Sequence, residues 1–371
     1  MRLTRTVAPW LLAVIVVLGV GCTPTYNVTD LNTLGAEGYT RAEDINKSGH
    51  VTGISRIDDT VQHAFLWDGS TISDLGSTAA DHFSAGLGIN SADHVVGVTT
   101  DTLDSGNTAA QVWTLSGRVS LPTLGGTEDV ATAINDDNFV VGASDVTGDA
   151  DFHATAWTGT VPQDLGTLGG AWSFALDVNG SGHVVGWSLL GPKADGHTSL
   201  AEVLQATHPK LADLKLVGSF FFPSDMHAFL WENGHPMSDL GTLGGQGSIA
   251  TAINDLGQVV GMSYLPGDTE SHAVLWDGGI HDLSTLGGAE SVALDINNSG
   301  KIVGKSRTSS GDWRAVVWDH GTPTDLNTRT DSSGMYWVLE EAVAINDDGL
   351  IAGTGLHHGL SRAFVLRPIP S

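Results

Sequence analysis

Read for its alternation of apolar and polar positions, the stretch from Asp239 to His281 resolves into four short runs: Ile249–Ile253, Gln258–Ser263, His272–Trp276 and Gly279–Leu283. Each is rich in β-branched, aromatic or other apolar residues and is flanked by turn-forming ones, the pattern of short strands rather than helices. The block returns along most of the chain. Aligned on an Ile/Val-Asn pair, it places Asn46, Asn90, Asn135, Asn179, Asn254, Asn297 and Asn346 at successive intervals of 44, 45, 44, 75, 43 and 49 residues. One interval carries about 31 extra residues. A period in the low forties with four short strands per copy is that of a propeller blade.

Fixed positions within the copies support this reading. The Asn-x-x-Gly between the first two strands predicts a tight hairpin whose last residue is left-handed. That residue is Gly49, Asp93, Asn138, Gly182, Gly257, Gly300 or Gly349, and Gly, Asn and Asp are the types that tolerate positive φ. The second strand keeps a glycine, Gly53 through Gly353, which marks a bulge or a close backbone approach. The third keeps an alanine, Ala64 through Ala363, followed three residues later by a tryptophan in six copies and by Leu366 in the last. A small and a large residue at fixed places suit sheets packed face to face. At the ends, Tyr26–Leu31 reads as a lone fourth strand and Arg362–Leu366 as a third strand with no fourth after it. The predicted fold is all-β: a seven-bladed β-propeller of four-stranded blades, closed when the N-terminal strand completes the last blade. An open β-solenoid is the alternative, and it gives the two ends no reason to complement each other.

The tripeptide His-Ala-Phe at His63–Phe65 and His227–Phe229, with its Leu-Trp-Asp-Gly and Asp-Leu-Gly-Thr-Leu-Gly-Gly neighbours, resembles the HAF-repeat family of extracellular proteins from about Asp30 to the C-terminus. The resemblance implies secretion and a repeat scaffold, and no particular reaction. Ala109, Arg314 and Arg362 stand in the histidine place of copies two, six and seven, so the histidine is not required in every blade.

Charge narrows the partners. The chain has 42 acidic and 16 basic residues. That balance opposes binding to nucleic acid and electrostatic docking on anionic lipid, both of which need basic patches. The opening segment carries Arg2 and Arg5 ahead of an apolar run to Gly21, the form of a signal peptide over residues 1–21. Cys22, the single cysteine, follows Leu18-Gly19-Val20-Gly21 and resembles the acylated cysteine of a bacterial lipobox. Residues 22–25 would then be a lipidated N-terminus and short tether, and 26–371 the propeller, with an insertion at 189–225. The expected address is the cell envelope, outer membrane or surface, with the lipid anchor as the only membrane contact.

Candidate chemistry lies where copies break the pattern. His63, His153, His227 and His272 occupy equivalent places. Strands about 4.8 Å apart would carry such third-strand residues too far outward to share an ion. A structural hydrogen bond to the repeated Ser55, Ser144, Ser188, Ser263 and Ser306 region is expected instead. Asp145, Asp149 and Asp151 are a candidate oxygen-ligand set for Ca²⁺ without an EF-hand spacing, and a solvated acidic surface is the preferred reading. Beyond Ca²⁺ no cofactor is expected. The insertion includes a stretch suited to a short helix from Ser199, three lysines and the run Phe220, Phe221 and Phe222. Trp172, Tyr336 and Trp337 fall in crossovers where other copies carry small or polar residues, as candidate platforms for a sugar or peptide; local packing is the competing reading. With the second-to-third loops these crossovers share one face, the loop face, while the Asn hairpins share the other. The Gly-Gly pairs of Thr-Leu-Gly-Gly read as tight crossovers, not phosphate cradles. The expected function is a non-catalytic binding or scaffold propeller of the cell envelope, taking an extracellular glycan or envelope protein on the loop face. The alternative is a carbohydrate-active hydrolase or lyase, which would require convergent carboxylates near the axis.

Overall fold

The computed structural model describes residues 24–35, 38–58, 61–76, 83–100, 108–149, 151–191 and 226–370. Cys22, the Phe220, Phe221 and Phe222 run, and the helix expected from Ser199 lie outside them. The described regular structure is strand, apart from two short 3-10 turns at Leu326–Arg329 and Ser332–Gly334.

Each sequence repeat folds as an antiparallel sheet. In the copy read first, the strands are Ser248–Ile253, Val259–Tyr264, Ser271–Trp276 and Ile280–Asp282, within two residues of the runs seen in the sequence. Single parallel bridges, Gln62 to Phe83 and Ser271 to Glu290, join two pairs of neighbouring sheets. The last sheet is assembled from both ends of the chain, in the order Tyr26–Asp30, Leu360–Pro368, Ile351–His357, Trp337–Ile345. The register runs from Tyr26 opposite Pro368 to Asp30 opposite Phe364. The preceding crossover reinforces this seam: Asp331 N–H donates to the Tyr26 carbonyl and Val28 N–H to Ser333 Oγ. Tyr26 is buried there, and burial pushes its hydroxyl up to about 12.

The repeated asparagine explains the hairpins and their order. Asn135 Oδ1 accepts from Asp137 N–H and Phe139 N–H, closing its own turn, while Nδ2 donates to the carbonyl of Asn179 in the next repeat at 3.1 Å. The same outward bond links Asn46 to Asn90, Asn90 to Asn135, Asn179 to Asn254, Asn254 to Asn297 and Asn297 to Asn346. Asn346 Nδ2 then donates to the carbonyl of Asn46, 300 residues away, so the series ends where it began. All seven predicted left-handed residues have positive φ, between 60° and 80°.

The strand glycine has a direct steric cause. A Cβ on Gly142 would come within 2.0 Å of the Val130 carbonyl oxygen, and one on Gly261 within 1.9 Å of that of Ile249. Opposite each, the first strand carries a register shift, between Ala131 and Ala133 and between Ala250 and Ala252. Bulge and close approach are one feature. The third-strand alanines are fully buried, with the tryptophans and Leu366 beside them.

Asn135→Ala removes three hydrogen bonds of about 1 kcal/mol net each. We expect a loss of roughly 2–4 kcal/mol in chemical denaturation with an unchanged folded-state circular dichroism spectrum.

Candidate functional site

The repeated histidines are structural, but their partner is not the serine expected from the sequence. His63, His153, His227 and His272 each set Nδ1 against the fourth-strand aspartate of their own sheet, Asp74, Asp164, Asp239 and Asp282, at 2.8–3.0 Å. The aspartate also accepts a backbone N–H two residues on, as from Gly166 and Gly241. The serines are engaged elsewhere: Ser144, Ser188, Ser263 and Ser306 Oγ accept from the leucine N–H of the Thr-Leu-Gly-Gly crossovers. Sequence could not separate these partners, because serine and aspartate are both invariant companions of the histidine in these copies. Where Arg362 replaces the histidine, the equivalent aspartate, Asp30, pairs instead with His357 Nδ1 at 2.9 Å.

The acidic candidates do not assemble as a cation site. Among the described residues no three His, Cys, Asp or Glu side chains are grouped as metal ligands would be. Asp149 lies in a left-handed turn and its Oδ1 accepts Thr127 N–H at 2.7 Å, as Asp268 accepts from Gln246 N–H. Asp151 contributes its backbone carbonyl to Val146 N–H. Asp145 is buried, and burial, then Glu128 and Asp149, push its carboxyl up to about 7. Asp129 stands where other copies carry serine. Its Oδ1 accepts Ala110 N–H, as Ser173 and Ser248 Oγ accept from Ala154 and Ala228 N–H. Its Oδ2 is buried without a hydrogen bond, and burial pushes the carboxyl up to about 7.

Three further carboxylates, Asp44, Asp177 and Asp295, follow the bulges of their first strands. Each accepts one N–H from its own neighbour and one from the first strand of the next repeat: Ile89, Ile253 and Ile345. Burial, then repulsion from Asp295 and more weakly from Asp44, pushes Asp177 up to about 8. A buried ionic set joins the last repeats to the first. Arg41 Nη2 donates to Glu341 Oε1 at 2.7 Å, Lys305 Nζ to Glu341 Oε2 at 3.0 Å, and Glu43 Oε1 lies 3.3 Å from Arg41 Nε. These side chains escape simple sequence reading because they are charges at positions where other copies are apolar, a signal visible only once the register is known.

Trp172 does not form a platform. It is 6% exposed and stacks on Phe152 at 5.1 Å, in a cluster with Phe174 and Trp187. The packing reading holds for it, because its crossover folds the ring inward over neighbouring aromatics. Tyr336 and Trp337 behave differently. Tyr336 is 66% exposed and stacks on His358 at 4.7 Å, while Trp337 stacks on His357 at 4.5 Å with rings 4° from parallel. The two histidines lie 4.6 Å apart, so the four rings form one continuous crest. Met335 (59% exposed), Val338 (37%) and Leu360 (49%) flank it. Tyr336 and His358 both adopt positive φ, 70° and 52°, and His358 N–H donates to the Tyr336 carbonyl. Left-handed backbone costs non-glycine residues roughly 1 kcal/mol or more each. The crossover and hairpin therefore hold the exposed rings of Tyr336 and His358 at an energetic cost, while Trp337 is half-buried and packs edge-on to the buried Phe364. Sequence reading alone does not single out His357 and His358. Their signal is an adjacent histidine pair at the shortest of the second-to-third connections, between strands ending at His357 and resuming at Leu360.

No protein-family model matches the chain, and no curated protein matches its sequence. Among solved structures it is similar to YCF48 bound to D1 peptide, with TM-score 0.50, 10% identity, 95% of this chain and 97% of that chain covered. It is also similar to oligogalacturonate lyase in complex with manganese, with TM-score 0.51, 14% identity, 93% and 91% covered. Against the acylaminoacyl peptidase of Pyrococcus horikoshii the TM-score is 0.49 at 10% identity, with 85% of this chain covered; this chain spans 49% of that peptidase. At such identities the likeness shows the fold alone, and the fold is a β-propeller.

Asp129 and Asp145 bind a proton more tightly folded than unfolded, so their favourable contribution is complete below about pH 4 and is lost as pH rises through about 7. Asp129→Ser restores the repeat's own hydroxyl and removes one such group. Its stability gain should be small at pH 4 and reach on the order of 2–4 kcal/mol at pH 8. Denaturant titrations of both proteins at the two pH values measure it; an equal effect at both would contradict the assignment.

Proposed function

We propose that the chain is a seven-bladed propeller closed by the strand Tyr26–Asp30, anchored in the cell envelope through Cys22, and that it binds a polypeptide partner without catalysis. Closure is supported by the pairing of Tyr26–Asp30 with Leu360–Pro368 and by the asparagine series that returns to Asn46. Anchoring is supported by the signal-like segment and the position of the single cysteine. The repeat's resemblance to the HAF family supports the same extracellular address.

The observation that carries the binding reading is the exposed, conformationally costly Tyr336 in its ring stack. Exposed apolar groups gathered around aromatic rings mark interaction surfaces. The aliphatic side chains of Met335, Val338 and Leu360 favour a polypeptide over a glycan, whose hydroxyls would lose water against them. The scaffold suits the role: the YCF48 structure holds a peptide. The hydrolase or lyase reading needs carboxylates free to act, and those brought together are engaged: Asp44, Asp177 and Asp295 each accept two backbone N–H groups. Glu43 and Glu341 are buried against the same guanidinium, which they neutralise.

The first strand starts beside Pro368 at the hairpin face and ends at Asp30, beside His357 on the loop face. A tether leaving Tyr26 therefore puts the membrane on the hairpin side and turns the crest outward.

Two measurements test the proposal. Cys22→Ser should move the protein from the membrane to the soluble fraction and abolish labelling by a radioactive fatty acid. Tyr336→Ser should reduce crosslinked capture of envelope proteins at least tenfold while stability stays within about 0.5 kcal/mol. Unchanged protein capture, with loss of binding on a neutral-glycan array, would transfer the site to carbohydrate.

A further inference from the structure

We infer that the buried charges Arg41 and Glu341 and the half-buried Lys305 specify the order in which the repeats close, so that the sixth meets the seventh and the seventh meets the first. The inference rests on the closed-ring reading and goes beyond it.

The hazard comes from the repeat itself. The second strand of each unit packs on the first strand of the next, through to Ile351–His357 against Thr40–Ile45. At the level just before the bulge, these contacts are made by one residue from each strand. The cross-strand pairs there include Ala85 with Val98, Val130 with Ala143, Phe174 with Trp187, and Ile249 with Met262. From Ile54 in the first unit to Val292 in the sixth, this belt belongs to a single apolar cluster. Apolar surfaces of similar shape are interchangeable, and units built alike can meet the wrong neighbour during folding.

The remaining arc of the belt is different. Opposite Val292 stands Lys305, opposite Thr354 stands Glu341, and opposite Ile54 stands Arg41. Lys305 reaches Glu341 across the sixth-to-seventh contact, and Glu341 reaches Arg41 across the seventh-to-first. Thr354 Oγ1 also accepts Ala42 N–H across the second of these. With the seventh unit left out, Lys305 would face Arg41, like charge against like. With an earlier unit docked on the seventh, Glu341 would lose Lys305 and meet an apolar side chain; with one docked on the first, Arg41 would keep Glu43 of its own strand and lose Glu341. Each arrangement loses at least one of the two ion pairs made between units, and only the order six, seven, one makes both.

The test is refolding of the chain from guanidinium, with the monomer fraction read by size-exclusion chromatography and light scattering. A fourfold variant, Arg41→Ile, Glu43→Leu, Lys305→Met and Glu341→Ile, installs residues that other units carry at these places, such as Ile249, Leu87 and Met262. The surviving monomer should melt at the wild-type temperature or higher, while the fraction recovered falls at least threefold. Recovery equal to wild type would overturn the inference. If the fourfold variant does not fold, Arg41→Lys against Arg41→Met decides. Lysine should preserve the wild-type monomer fraction and methionine should lose it; equal losses would overturn the role of charge. A wild type that itself refolds to an open or polymeric form would overturn the ring reading together with this one. Failure of the variants alone leaves the ring intact.

Discussion

A primary amide can close its own turn and hold its neighbour at the same time, and the architecture depends on that double use. In six hairpins the asparagine Oδ1 takes two backbone N–H groups, and in the last Asn346 Oδ1 takes that of Leu350, so the side chain is held while Nδ2 reaches the next carbonyl. Aspartate has no donor for the second task, and serine is too short to perform both. Turn formation and contact between units are thereby coupled, which favours a cooperative whole over independent repeats. The left-handed residue that ends each turn belongs to the same device, because it brings the amide acceptor within reach of both N–H groups.

Around that asparagine series, polar groups are used as clips between packed sheets. Serine caps a leucine N–H, aspartate holds a histidine ring, and Asp44, Asp177 and Asp295 bind the next first strand. Each clip satisfies backbone groups that the bulges and crossovers leave without ladder partners. The exception at Asp129 shows the economy of the scheme. A hydroxyl suffices there, and the second carboxylate oxygen is enclosed without a partner. The charges of buried Glu341 and Arg41 and half-buried Lys305 are a different case. They sit at the contacts where the last units meet the first, where identity of partner matters more than apolar area.

The proposed binding surface lies where the repeat is interrupted. The crossover before Trp337 is longer than its counterparts, includes two 3-10 turns, and carries both the strap over Tyr26 and the exposed ring of Tyr336. One segment therefore both braces the strand that begins at Tyr26 and displays the crest. Its strain is concentrated at Tyr336 and His358, on the side that faces away from the N-terminal strand's origin. The other aromatic departure, Trp172, contributes to the interior instead.

By itself the sequence determined the strands, the hairpins, the bulge glycines and the complementarity of the chain ends, because these follow from local rules repeated seven times. Repetition turns a weak preference at one site, such as Asp93 or Asn138 in place of glycine, into a firm one. What only the tertiary structure decided are relations between side chains distant in the chain: that the histidines hold aspartate, that Trp172 turns inward while Tyr336 stays out, and that Arg41, Glu341 and Lys305 meet. Periodicity reports which residues share a face. It cannot report which of two polar neighbours a ring will choose, or what lies across an interface, since both depend on distances fixed only when the sheets pack.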